Sequence, residues 1–174
     1  MTGAEAGRPA AFLDRDGVLN VDKGYLFRSE EFEWIPGAIE AVKQLNDHGY
    51  LVFVVTNQSG VARGYYGEED VIRLHNWMDD ELARHGARID KFYYCPHYTE
   101  GTALKYVTTC ECRKPLPGLI LAAFAEWAID REKSFLIGDK DSDIAAAAAA
   151  GIKGYKFAAG NLAEFLQATN AIRE

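Results

Sequence analysis

The chain alternates short apolar runs with longer amphipathic stretches, and the strongest apolar runs each break off in polar side chains. Leu51-Val52-Phe53-Val54-Val55 is the clearest, too uniformly apolar for a strand with one face in water, and Thr56-Asn57 follows at once. Ala10-Ala11-Phe12-Leu13 stops at Asp14-Arg15-Asp16-Gly17, and Ser134-Phe135-Leu136-Ile137 stops at Gly138-Asp139. Phe92 to Tyr94 and Gly154 to Phe157 complete the predicted strands. Between them the sequence predicts helices over 38–48, 68–85, 118–128, 143–150 and 162–168, the first with Ile39, Val42 and Leu45 at helical spacing. Gly49, Gly86 and Gly151 act as stops. Strands alternating with helices predict an α/β fold, a Rossmann-like three-layer α/β/α arrangement around a parallel sheet.

A chain of 174 residues corresponds to one domain on a prior of roughly 150 residues each, so we expect a flexible tail over 1–9 and a single domain over 10–174. The acid excess, 26 Asp and Glu against 19 Lys and Arg for a net charge of -7, argues against a nucleic-acid partner. No apolar run approaches the ~18 residues of a membrane helix, and the opening MTGAEAGRPA lacks a signal-peptide core. Three cysteines fit badly with a secreted disulfide framework, so a cytoplasmic protein is expected and the thiols need another explanation.

In parallel sheets of this kind ligands bind beyond the carboxyl ends of the strands, where the polar clusters fall. Asp14 and Asp16 are two apart, so an extended backbone projects both to one side. Two such carboxylates repel unless a cation or a shared proton intervenes. With Asp139 they suit a hard, oxygen-seeking ion, for which magnesium is the natural choice. One carboxylate can then act as a nucleophile toward phosphorus, and a second as general acid and base. Thr56 to Gly60 offers hydroxyl and amide donors for phosphoryl oxygens, and Arg113-Lys114 offers paired cations. Taken singly, each cluster also reads as an ordinary turn or a solvated pair; their convergence points to chemistry.

The roughly 95–117 stretch is a long loop for a compact domain, a feature usually tied to function. Cys95, His97, Cys110 and Cys112 lie in it as two tight pairs, matching a structural zinc site of three thiolates and one imidazole; chance clustering of buried thiols is the alternative. Four protein ligands leave no open position, so such an ion would pin the loop over 95–112 that leads to Arg113 and Lys114. His48, His75 and His85 fall in or at the ends of predicted helices and are expected to serve packing or surface roles.

The Phe12 to Asn20 stretch resembles the first motif of the haloacid dehalogenase superfamily, Thr56-Asn57 its second, Lys114 its third and Gly138 to Asp143 its fourth. Val55 to Gly64, together with Cys95-Pro96-His97 and Cys110 to Pro115, is similar to the zinc-containing D-glycero-D-manno-heptose 1,7-bisphosphate 7-phosphatases. The resemblance runs from about Ala11 to Phe157. It implies a nucleophile at Asp14, a general acid and base at Asp16, and phosphoryl stabilisation by Thr56 and Lys114. Asp14, Asp16 through its backbone carbonyl, and Asp139 would hold magnesium. Asp22, Lys23, Gly24, Tyr25, Asn57, Gln58, Ser59, Arg113 and Lys140 would bind substrate, and Cys95, His97, Cys110 and Cys112 would bind zinc. It further implies no large cap domain, a small phosphorylated sugar as substrate and a role in lipopolysaccharide biosynthesis; we expect a monomer. Tyr98-Thr99-Glu100 and Tyr106 to Thr109 depart from the pattern, which leaves the exact sugar open. Histidinol-phosphate phosphatase is the nearest rival reading, and a zinc-stapled binding protein is the rival of another class.

Overall fold

The computed structural model describes residues 6–172. Among them five strands form one parallel sheet: β1 (Arg8–Leu13), β2 (Leu51–Asn57), β3 (Lys91–Cys95), β4 (Ile129–Gly138) and β5 (Lys153–Lys156). The order is β3-β2-β1-β4-β5, with Phe12 of β1 beside Phe53 on one side and Leu136 on the other. Successive side chains of a strand face opposite ways, so the apolar runs feed two cores. Leu13, Val52 and Val54 face α1 (Ala38–Asp47), α2 (Glu68–Arg84) and α5 (Leu162–Ala168), burying Val42, Leu45, Met78, Leu82 and Leu166. Phe12, Phe53 and Val55 face α3 (Gly118–Glu126) and α4 (Asp141–Ala149), burying Ile120, Ala123, Ala146 and Ala147. This is the expected three-layer fold. The alanine run of α4 is a close-packing face: Ala147 and Ile144 approach Gly154 of β5 so nearly that a Cβ there would lie 3.2–3.3 Å from them.

The chain runs from β1 outward through β2 to β3, then returns to the other side of β1 for β4 and β5. The crevice at such a reversal is the usual ligand position in open α/β sheets, and it opens beside the end of β1.

Two boundaries differ from expectation. β1 begins at Arg8, not Ala10: Arg8 and Pro9, assigned to the tail, pair with Ile129 and Asp130, and the Arg8 guanidinium donates to Gly49 O at 3.0 and 3.2 Å. Residues 1–5 of that tail lie outside the described residues. Strand β4 starts at Ile129 rather than Ser134. Its charged stretch Asp130 to Lys133 reads as loop because it points to solvent, and the β1 register shifts across it between Pro9 and Ala11. Ser134 bridges the irregularity, its Oγ accepting from Ala10 N at 2.9 Å and donating to Asp130 O at 2.5 Å. The long loop holds one 3₁₀ turn, Leu104–Tyr106. No helix of the described residues is long and apolar enough to cross a membrane.

Phe53 is wholly buried, with its ring centroid 5.3 Å from Phe12, 5.3 Å from Trp127 and 5.9 Å from Tyr93. Phe53→Ala is expected to lower stability by about 3–5 kcal/mol, read as a lower urea midpoint with an unchanged slope. A loss below about 1 kcal/mol would show that the β2 core is not packed as described.

Candidate active site

The ends of β1, β2 and β4 bring Asp14, Thr56 and Asp139 to one crevice, and the long loop delivers Lys114 into it from the far side. Lys114 is 5% exposed. Its Nζ donates to Asp14 Oδ1 at 3.0 Å, Asp143 Oδ1 at 2.5 Å and Val55 O at 2.8 Å. Burial opposes the ammonium charge, but Asp14 and Asp143 outweigh it and raise its pKa above the ordinary lysine value. The Lys114 backbone is fixed as well: its N–H donates to Asn57 Oδ1 at 3.0 Å, and its carbonyl accepts from Asn57 Nδ2 at 3.1 Å.

Asp14 Oδ1 also accepts from Arg15 N at 2.9 Å. Burial, chiefly, pushes the Asp14 carboxyl up to about 8; Lys114 pulls it down, and Asp143 and Asp16 push it up again. Burial likewise raises Asp139, whose side chain meets that of Asp14. Gly17 makes room for this meeting: at φ +89° it takes a conformation side chains disfavour, and a Cβ there would sit 2.2 Å from Asp139 Oδ2.

Carboxylate oxygens of Asp14, Asp139 and Asp143 lie within 4.8 Å of one another, an all-oxygen set suited to a hard divalent cation. Asp139 Oδ1 is buried without a hydrogen-bond partner among the described residues, a lone pair aimed at something absent from the protein itself. The residues therefore fit magnesium. Asp143 was not expected among them. Its Oδ1 accepts from Lys114 and its Oδ2 from Lys140 N at 3.1 Å, so it anchors Lys114 together with Asp14. The signal lay in its place at the third position of α4, where a carboxylate caps the helix. The Asp16 carboxylate is outside this set. It accepts from Arg15, from Asn20 Nδ2 at 3.0 Å and from Gln58 Nε2 at 3.1 Å.

Above the acids opens a cavity of about 570 Å³. It gathers most of the expected substrate-binding residues: Asp22, Gly24, Tyr25, Asn57, Gln58, Ser59, Arg113 and Lys140 line it with Asp16 and Lys114. Two amides are already engaged within the protein, Asn57 with Lys114 and Gln58 with Asp16, Thr56 Oγ1 and the Tyr66 hydroxyl. Lys23 is not brought in; an Asx turn from Asp22 Oδ1 to Gly24 N turns the chain, and Lys23 pairs with Glu33 at 3.3 Å. Arg63, to which the sequence reading gave no role, also lines the cavity, its guanidinium 4.0 Å from the Tyr98 ring centre and 5.4 Å from that of Tyr25. Arg113 stands 5.1 Å from the Tyr98 ring centre, and its Nη1 is buried with no partner among the described residues.

Beside this wall Cys95, His97, Cys110 and Cys112 offer ligand atoms within 4.8 Å of one another. Cys95 Sγ is 3.5 Å from Cys110 Sγ and 3.6 Å from His97 Nδ1, and His97 Nδ1 is 3.3 Å from Cys112 Sγ. Cys95 Sγ and Cys112 Sγ stand closer, at 2.8 Å, than the ~3.8 Å between sulfur ligands of a tetrahedral zinc with bonds of about 2.3 Å, so it is the donor set, three thiols and one imidazole gathered at one point, that fits zinc.

Two family models match the chain: a haloacid dehalogenase-like hydrolase model over residues 11–70 and a HAD-hydrolase-like model over residues 111–168. The D-glycero-beta-D-manno-heptose-1,7-bisphosphate 7-phosphatase of Rhodopseudomonas palustris is 54% identical over 157 residues, covering 90% of this chain and 87% of its own. Its namesake from Pasteurella multocida is 50% identical, covering 84% and 79%. A crystal structure of D,D-heptose 1,7-bisphosphate phosphatase from B. bronchiseptica, complexed with magnesium and phosphate, superposes with a TM-score of 0.78 at 30% identity, covering 95% of this chain and 89% of that one. The chain is a phosphatase and belongs to the D-glycero-beta-D-manno-heptose-1,7-bisphosphate 7-phosphatase family of haloacid dehalogenase-like hydrolases.

Proposed function

We propose that this chain is a magnesium-dependent phosphatase that removes the 7-phosphate of D-glycero-D-manno-heptose 1,7-bisphosphate through a phosphorylated Asp14. One observation carries the reading: Lys114, Lys140, Asp16 and Asn57 line two cavities in common, the smaller lined also by the buried Asp14 that pairs with Lys114 and the larger by Arg113, whose guanidinium Nη1 has no partner among the described residues. A ligand with two separated anionic groups meets both. The net charge of -7 does not oppose this, because the cavity collects Arg63, Arg113, Lys114 and Lys140 on one side of the molecule.

In this reading the Asp14 carboxylate attacks phosphorus and the bond to the sugar oxygen breaks, with Asp16 delivering a proton to that oxygen. Lys114 and Thr56 hold the phosphoryl oxygens as charge moves onto them. Asp16 then takes a proton from water as it attacks the phosphorus of the aspartyl-phosphate, releasing inorganic phosphate and restoring Asp14. Magnesium, held by Asp14, the Asp16 backbone carbonyl and Asp139, would offset the repulsion between the carboxylate and the anionic phosphoryl group. Asp22, Gly24, Tyr25, Ser59, Arg113 and Lys140 orient the sugar bisphosphate, and Lys23 has no place in that set. Cys95, His97, Cys110 and Cys112 hold a structural zinc that fixes the loop carrying Arg113 and Lys114. We assign the enzyme to the cytoplasm as a monomer, in the supply of heptose for lipopolysaccharide.

Asp14→Asn keeps the shape but not the nucleophile, and is expected to lower magnesium-dependent phosphate release from heptose 1,7-bisphosphate by about 10³-fold or more. Retained activity in this variant, or faster turnover of histidinol phosphate than of the heptose by the wild type, would overturn the assignment. Purified protein is expected to carry about one zinc per chain, and Cys112→Ser to lose it and melt roughly 5–10 °C lower. Metal analysis finding less than about half an equivalent would exclude the zinc site.

A further inference from the structure

Arg15 lies between the two catalytic aspartates in sequence, yet its side chain is among the most buried in the protein, at 1% exposure. A fully buried guanidinium must have its N–H groups met. Here Nε donates to Asp16 Oδ1 at 3.3 Å and Nη2 to both Asp16 oxygens at 3.1 Å, a forked grip that fixes the plane of the carboxylate. The remaining donors point the other way: Nη2 to Leu26 O at 2.9 Å, and Nη1 toward His75 Nε2 at 3.3 Å. His75 is itself 4% exposed, on the buried face of α2, and stacks on Phe92 of β3 with ring centres 4.4 Å apart and planes at 16°.

We propose that Arg15 is a positioning residue for the phosphatase reaction, and that His75 seats it so that the Asp16 carboxyl faces the leaving oxygen of the substrate. Nothing in the sequence reading gave either residue a part in the chemistry; His75 was expected to pack or face solvent. Burial and then the Arg15 charge hold the His75 pKa well below its usual value, so the ring is neutral and its Nε2 can accept from a donor that never loses its proton. A purely packing residue of this size needs no such acceptor; an aliphatic side chain would fill the space but leave Arg15 Nη1 a buried donor without a partner. The guanidinium would then be free to rotate about its last bonds, and the carboxylate gripped by it would move too. The inference rests on Asp16 being the general acid of the first step.

That dependence supplies the test. An alkyl leaving group such as a sugar hydroxyl needs a proton as the P–O bond breaks; 4-nitrophenolate does not. The parameter kcat/KM covers the steps through aspartyl-phosphate formation only, so the later hydrolysis does not enter. His75→Leu is expected to lower kcat/KM on heptose 1,7-bisphosphate by about 10–100-fold, mainly in kcat, and on 4-nitrophenyl phosphate by less than about 3-fold. His75→Gln, whose amide oxygen can accept from Nη1, is expected to recover the sugar phosphate rate to within about 3-fold of wild type. Arg15→Lys, which keeps the charge but loses the fork, should show the same leaving-group pattern as His75→Leu and serves if that variant does not fold. Equal losses on both esters, or a His75→Gln variant as slow as His75→Leu, would overturn the proposal. Asp16→Asn separates the two levels. If it too loses both esters equally, the role given to Asp16 fails; if it is selective while His75→Leu and Arg15→Lys are not, only the positioning inference fails.

Discussion

Everything at the site depends on one buried ion cluster, the Lys114 ammonium held between Asp14 and Asp143. A charge taken out of water is tolerated only when opposite charges and hydrogen bonds replace its hydration, and removing one partner from such a cluster typically costs about 3–5 kcal/mol. The cluster therefore constrains three remote stretches at once: the end of β1, the start of α4, and the exit of the long loop. It also explains why that loop needs so many fixings. Lys114 reaches the floor only if its backbone is held, which Asn57 does from the end of β2. The Cys95, His97, Cys110 and Cys112 cluster lies upstream of it in the same loop.

The same cluster sets the electrical character of the floor. Burial first, and then the neighbouring carboxylates, raise Asp14 and Asp139, and a divalent cation would offset both. The wall is arranged oppositely. Arg63 and Arg113 both lie over the Tyr98 ring, 4.0 and 5.1 Å from its centre, where the ring's π electrons attract each cation. An acidic protein thus sets a cationic wall beside a group of acids able to hold a metal.

Much of this was legible in the sequence because buried parallel strands must be apolar throughout and must end where the sheet ends. Asp14, Thr56 and Asp139 stood out as polar residues at those ends, and the thiol and imidazole spacing marked the second metal set. What escaped notice had a physical reason in each case. The first half of β4 carries Asp130 to Lys133, which face solvent and read as loop. Asp143 looked like a helix cap, which it also is. Lys23 stands among residues that do line the cavity, but Gly24 at φ +71° and Tyr25 at φ +53° turn the chain, so neighbours in sequence part in space. Arg15 and Arg63 could not be found from periodicity, since an arginine is ordinarily exposed and only its partners reveal otherwise.

The position of β1 at the middle of the sheet divides the site by how much of the protein must come apart to disturb it. Asp14 emerges from a strand bonded on both sides, so the floor keeps its geometry until the fold itself is lost. The rim is of another kind: Tyr25 and Tyr65, 47% and 55% exposed, touch each other from loops that open with little loss of core. Variation across descendants of such a chain can therefore accumulate at the rim, while the buried acids and lysine below change only at the expense of the fold.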